Sequence, residues 1–263
     1  MENLLFSVRD SVKTGWKLAK NNLVVLCGLI LAYTTIYYAV YFTFLPSNKP
    51  DFGFWVTMLF LLLFSVVFSL GFYKLCLDIV DGKDAEFSAF KEGLKKLKTY
   101  LVLVFIYLGF IIVVSVLFTF VFLLIVLVSG AHNYAAAMNP ESISKSMIIL
   151  IPLAIFWVAI LLFLIRFMYA PIIIVDTDKG AVEALKRSWE ITRGKFGKLV
   201  ALGIVFLLIN IVGFIALIVG IFVTMAVTSV GFAVSYRMLA YEYDLKNKEE
   251  KIEGKTDTVL PAE

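Results

Sequence analysis

Five blocks of almost unbroken apolar sequence, 23–45, 52–80, 100–128, 147–175 and 199–241, constrain this chain more than any other feature. Each of the first four is long enough to cross a hydrocarbon core of roughly 30 Å as a helix. The last is too long for one span, since as a single helix it would run about 65 Å, twice the core thickness. It is therefore read as two spans, 199–219 and 221–241, joined by a tight turn near Gly220. Composition agrees: 61% of residues are hydrophobic and 17% charged, against about half and a quarter in a soluble domain. The predicted fold class is an all-α membrane protein with six transmembrane helices.

Loop charge tests the count independently, because Lys and Arg gather in short cytoplasmic loops. Four basic residues precede the first span (Arg9, Lys13, Lys17, Lys20), and five lie between the second and third (Lys83, Lys91, Lys95, Lys96, Lys98). Six lie between the fourth and fifth (Lys179, Lys186, Arg187, Arg193, Lys195, Lys198), and the C-terminal segment adds five: Arg237, near the end of the sixth span, and Lys246, Lys248, Lys251 and Lys255 beyond it. The opposite loops hold Lys49 and Lys145 alone. Six spans with both termini cytoplasmic satisfy every loop, and a plasma-membrane location is expected. The first twenty residues are charged and amphipathic, unlike a cleavable signal peptide, so the first span is expected to stay. Residues 244–263, which mix both charge signs with little apolar content, are expected to form a disordered cytoplasmic tail.

A threefold internal repeat runs through this pattern. Each hairpin is preceded by a short basic segment with helical periodicity. In the first, Leu5, Val8, Val12, Trp16, Ala19 and Leu23 form one stripe opposite Arg9, Lys13, Lys17 and Lys20. In the second, Phe87, Phe90, Leu94, Leu97 and Leu101 stand opposite Lys91, Lys95 and Lys98; in the third, Val182, Leu185 and Trp189 stand opposite Glu183, Lys186, Glu190 and Arg193. Superposing Gly15-Trp16, Gly93-Leu94 and Ser188-Trp189 also aligns Lys20, Lys98 and Arg193. Such a segment suits a helix in the headgroup layer, its apolar face in the acyl boundary and its cations among lipid phosphates. The fold expected is three helical hairpins, each preceded by an amphipathic interfacial helix. The lipid-binding candidates are Trp16, Trp189, Lys20, Lys98 and Arg193, and the partner is the bilayer with its anionic headgroups rather than nucleic acid.

Polar residues within spans are few. An arginine in the membrane is costly and is a functional hypothesis by default. Arg166 has two readings: an anion-binding point between spans, or a side chain that snorkels to the cytoplasmic face or pairs with Asp78. Lys74 has Asp78 as its i+4 neighbour. Asn210 falls mid-span, where an amide serves as an interhelical hydrogen-bonding group. Ala216/Gly220, Ser65/Ser69 and Gly231/Ser235 are small-xxx-small pairs that permit close helix approach. Asp176-Thr-Asp178-Lys-Gly180 lacks the spacing of a calcium loop; Pro171 is expected to kink the fourth span, with one of the two aspartates capping the next helix. Cys27 and Cys76 lie inside apolar stretches and read as packing residues. His132 is the single histidine. No hydrolase, zinc-protease or P-loop motif occurs, so no catalytic residue, metal or cofactor is expected.

The stretch Arg166-Phe-Met-Tyr-Ala-Pro171 through Asp176-Thr-Asp-Lys-Gly180-Ala-Val-Glu-Ala-Leu-Lys-Arg-Ser-Trp189-Glu-Ile-Thr-Arg-Gly194 resembles the membrane domain of bacterial glycerophosphoryl diester phosphodiesterases and the related YciC-like membrane proteins. The likeness covers about the last third of the chain, the rest matching in layout. It implies a six-span membrane module. The phosphodiesterase activity is not carried over with it, because the catalytic domain and its histidines have no counterpart in these 263 residues. The expected role is that of a non-enzymatic membrane protein that interacts with membrane lipids, with a partner membrane protein or with a second copy of itself. The alternative is a small transporter or channel using Arg166.

Overall fold

The structure, a computed structural model, describes residues 5–44, 51–128, 141–216 and 218–256. His132 and Lys49 lie outside them, as does the far end of the tail. Ten helices follow in order: α1 (Val8–Asn21), α2 (Leu23–Phe44), α3 (Phe52–Val80), α4 (Ser88–Leu94), α5 (Leu97–Val128), α6 (Glu141–Phe167), α7 (Ala170–Asp176), α8 (Ala181–Thr192), α9 (Phe196–Ile215) and α10 (Ile218–Thr256). No strand occurs among the described residues. Six helical stretches are long and apolar enough to cross a membrane: Leu23–Phe44, Phe52–Val80, Leu97–Leu124, Ala154–Asp176, Phe196–Ile215 and Gly220–Glu249.

Two boundaries differ from expectation. The turn between the last two spans follows Ile215, not Gly220. Gly220 lies instead in the first turn of α10, where a Cβ would collide with the carbonyl oxygen of Gly213 on α9. The two glycines let the helices meet backbone to backbone just past the turn. The expected tail is also shorter, since α10 runs on as helix to Thr256.

The fourth span breaks between α6 and α7, as Pro171 in the first turn of α7 requires. Proline has no N–H for the carbonyl four residues earlier, which here is that of Phe167. Within a membrane that orphan acceptor must find another donor. The Tyr107 hydroxyl of α5 supplies it, donating at 2.7 Å. The neighbouring Arg166 carbonyl accepts from the Ser188 hydroxyl of α8 at 2.9 Å. The break is thus closed by side chains from two other helices. Tyr107→Phe is expected to lower stability by about 1 kcal/mol, read as an earlier midpoint in SDS unfolding; an unchanged midpoint would show that this carbonyl is satisfied some other way.

The tightly packed core sits toward one end of the bundle. It includes Leu70, Leu75, Cys76, Leu77, Ile79 and Val80 of α3, Ile172–Val175 of α7, and Ala226, Val227, Val230, Ala233, Val234, Tyr236, Met238 and Leu239 of α10, with Leu26 and Leu103 from α2 and α5. Toward the other end large apolar side chains face outward, among them Phe42, Trp55, Phe60, Phe120, Trp157 and Phe214. Such a surface suits lipid and not water. The dense end is the basic one: there the chain entry at Phe6 donates its N–H to Glu242 of α10 at 3.1 Å, which places the first and last helices at the same end.

Candidate functional site

The basic end is built from α1, α4 and α8, the three short helices expected in the headgroup layer. The most deeply buried positions on these helices are mainly small: Ser11, Gly15 and Ala19 in α1, Ala89 and Gly93 in α4, and Ala181, Ala184, Ser188 and Thr192, with Ile191, in α8. Of the large apolar stripe read from periodicity, Val8, Val12 and Leu185 pack only partly buried against the core. Each short helix docks on a long one. A Cβ on Gly15 would stand 2.6 Å from the Gly231 Cα of α10, and one on Gly93 2.7 Å from the Leu70 carbonyl oxygen of α3. Ser188 makes the corresponding contact through its bond to the Arg166 carbonyl of α6. α4 and α8 therefore each pack on the second long helix of the hairpin before them, and α1 packs on the second long helix of the last hairpin.

Docking by the small face turns the next residue outward. Trp16, Leu94 and Trp189 are 49%, 41% and 47% exposed. Around them Lys13, Lys17, Lys20, Lys91, Lys95, Lys98, Lys186 and Arg193 are exposed, and none joins an ion pair among the described residues. The surface presents large apolar side chains with these cations beside them.

Other charges at this end are committed to holding helices together. Arg237 of α10 grips Asp81, just past α3, in two parallel bonds (Nε to Oδ1 3.0 Å, Nη2 to Oδ2 2.6 Å), and donates through Nη1 to Asp176 at the end of α7 at 2.7 Å. Tyr236 donates to the same Asp176 oxygen at 2.7 Å. One guanidinium thus ties α10 to the C-terminal ends of α3 and α7. Beneath it the buried Tyr169, the N-cap residue of α7, shares a hydroxyl bond with Ser235 at 2.8 Å and stacks on Phe232, both of α10. Lys74 reaches Asp78 and also Glu92 of α4, both at 3.0 Å. That ammonium holds the Glu92 carboxyl below its usual range. Lys96 pairs with Asp178 and likewise lowers its carboxyl. Lys195 pairs with Glu242, and Arg187 with Asp244.

Of the residues singled out from sequence, Lys74 and Asp78 meet as their spacing implied. Arg166 does not reach Asp78. Its Nη1 donates to the Thr192 carbonyl at 3.1 Å and its guanidinium lies 4.8 Å from the Trp189 ring centre, because the break before α7 brings it under α8. Neither aspartate caps α8: its N-cap is Gly180, and Asp176 and Asp178 are taken by Arg237 and Lys96. Asn210 points its amide nitrogen at the Thr228 hydroxyl of α10 at 3.4 Å, while its buried oxygen has no partner among the described residues. Cys76 is buried and Cys27 partly so, both as free thiols. Among the described residues no group of three or more His, Cys, Asp or Glu is placed to hold a metal ion.

The Arg237 clasp was missed by sequence reasoning, yet a signal existed. Asp81 and Asp176 each lie twelve positions before the aligned Gly93 and Ser188. That equivalence marks them as ends of corresponding helices.

Six apolar helices, a core gathered at one end and a basic surface there define the chain as an all-α, multi-pass membrane protein. Within that class it belongs to the family described as domain of unknown function DUF7847, whose model matches residues 6–241. No curated protein and no solved structure matches the chain.

Proposed function

We propose that this protein is a non-enzymatic module of the plasma membrane whose three short helices form a cytoplasmic collar that holds anionic lipid headgroups. The observation that carries this reading is the coincidence at Trp16, Leu94 and Trp189. Each follows a small residue buried against a long helix, and each is presented outward beside uncommitted cations. An aromatic or apolar side chain at the acyl boundary with Lys or Arg above it is the arrangement of an interfacial helix on an anionic leaflet. The three aligned segments and their matching dockings support a threefold repeat. Basic loops support termini on the cytoplasmic side.

The transporter or channel reading has less to rest on. Arg166 is engaged by the Thr192 carbonyl and the Trp189 ring, which supports a role in fixing α8 rather than in meeting a substrate. The likeness to the phosphodiesterase membrane domain is compatible with either reading and adds no catalytic group.

Each Lys near an anionic surface contributes about 1 kcal/mol of attraction. Purified from membranes containing phosphatidylglycerol and phosphatidylcholine, the protein is expected to carry the anionic lipid in excess. The variant K13Q/K17Q/K20Q should lose a large part of that enrichment. Equal enrichment in both proteins would sink the collar, and turnover of any substrate by the purified protein would sink the non-enzymatic reading.

A further inference from the structure

Behind the collar, where the chain leaves α8 and enters α9, a cavity of about 280 Å³ opens against α10. Its polar wall comprises Glu190, Arg193, Lys195, Glu242, Lys246 and Asn247. The acids in this wall are already satisfied. Glu242 pairs with Lys195 and accepts the Phe6 N–H, and Glu190 accepts the Tyr243 hydroxyl at 2.9 Å. Two cations stand outside the ion pairs: Arg193 and Lys246 are exposed and make no salt bridge among the described residues, although the Lys246 charge also attracts the Glu242 carboxylate. The turn also leaves the mouth uncovered. Gly194 has φ +76, a left-handed conformation in which a side chain is strained, and a Cβ built there meets nothing within 4 Å.

Three cations against two carboxylates, one of them held in an ion pair and the other capped by a hydroxyl, with an amide donor beside them, leave a net positive wall that suits a phosphate. Arg193 offers a planar fork matched to phosphate oxygens, and Lys246 a point charge. The volume lies just below the usual range of small-molecule pockets, roughly 300–1,000 Å³, and suits a phosphate with a small polar substituent. Trp189, one turn back on α8, is exposed, as suits an aromatic side chain at the membrane boundary. We infer that this cavity binds the phosphate of one anionic glycerophospholipid, drawn from the surrounding leaflet. The inference rests on the collar reading for its orientation but names a distinct site with its own stoichiometry.

The test uses the full chain in nanodiscs of phosphatidylcholine doped with phosphatidylglycerol, with tightly held lipid counted by native mass spectrometry after release into detergent. One retained phosphatidylglycerol per protein is expected. R193Q/K246Q should reduce its occupancy at least tenfold, R193K/K246R should keep most of it, and K179Q/K248Q, which removes the same charge from exposed positions outside the cavity, should leave it unchanged. Millimolar inorganic phosphate or glycerol phosphate should fail to displace the lipid; displacement by either would reassign the cavity to a soluble phosphate and overturn the lipid assignment. Retention by R193Q/K246Q equal to wild type, or no retained lipid in wild type, overturns the site itself. The collar is judged separately by bulk enrichment in K13Q/K17Q/K20Q, so either idea can fail while the other stands.

Discussion

Replacing Gly15 with valine is expected to detach α1 from α10 and to cost about 3 kcal/mol or more of stability. Overpacking a close-packed site costs roughly 1–3 kcal/mol when neighbouring side chains can yield. Here the obstruction is backbone: the new Cβ alone would stand 2.6 Å from the Gly231 Cα and 2.8 Å from its nitrogen. Neither atom can rotate aside, and Gly231 sits in the middle of a long helix that also carries Tyr236 and Arg237. The helices must separate, exposing the buried hydroxyl of Ser11 and the packing of Ala19. Equilibrium unfolding in SDS should show a much earlier midpoint. Gly28→Ala in α2, where a Cβ meets nothing within 4 Å, should change stability by no more than about 0.5 kcal/mol. Wild-type stability in Gly15→Val would mean that α1 does not dock on α10.

Arg237→Gln should open the clasp that joins α10 to the ends of α3 and α7 and cost about 2 kcal/mol. Removing one member of a fully buried pair costs about 3–5 kcal/mol, because the remaining charge is stranded. The side chains here are 27% exposed for Arg237, 33% for Asp81 and 18% for Asp176, so water screens part of that penalty. The stranded carboxylates dominate the loss. Accordingly, Arg237→Gln combined with Asp81→Asn and Asp176→Asn should be more stable than Arg237→Gln alone, a non-additivity expected of groups in one network. Arg237→Lys should retain one carboxylate contact but not the two-pronged grip on Asp81. If the triple variant is no more stable than the single one, the clasp contributes through packing and not through charge.

How far these sites could be read from sequence differs from residue to residue. Lys74 and Asp78 were legible because both lie on one helix, where spacing dictates contact. The exposure of Trp16 and Trp189 was legible from amphipathic periodicity. The buried face of the same helices was not: hydropathy ranks Val8 and Val12 above Ser11 and Gly15, yet close docking selects the smallest side chains, and what they dock against lies far along the chain. Arg166 was ambiguous for the same reason. Its partners, the Thr192 carbonyl and the Trp189 ring, come within reach only because Pro171 breaks the span and lets α8 fold back over it.

By itself the sequence determined the solvent, the number of spans and which loops share a side, because transfer of apolar residues into lipid and retention of Lys and Arg at one face are properties of each segment alone. Tertiary structure decided which helix each short segment docks on, which charges are consumed in clasps and which stay free. Those outcomes depend on atoms meeting within a few ångströms across hundreds of residues of separation, as the Gly15 backbone meets that of Gly231 and the Phe6 N–H meets the Glu242 carboxylate, and no local pattern encodes such a distance.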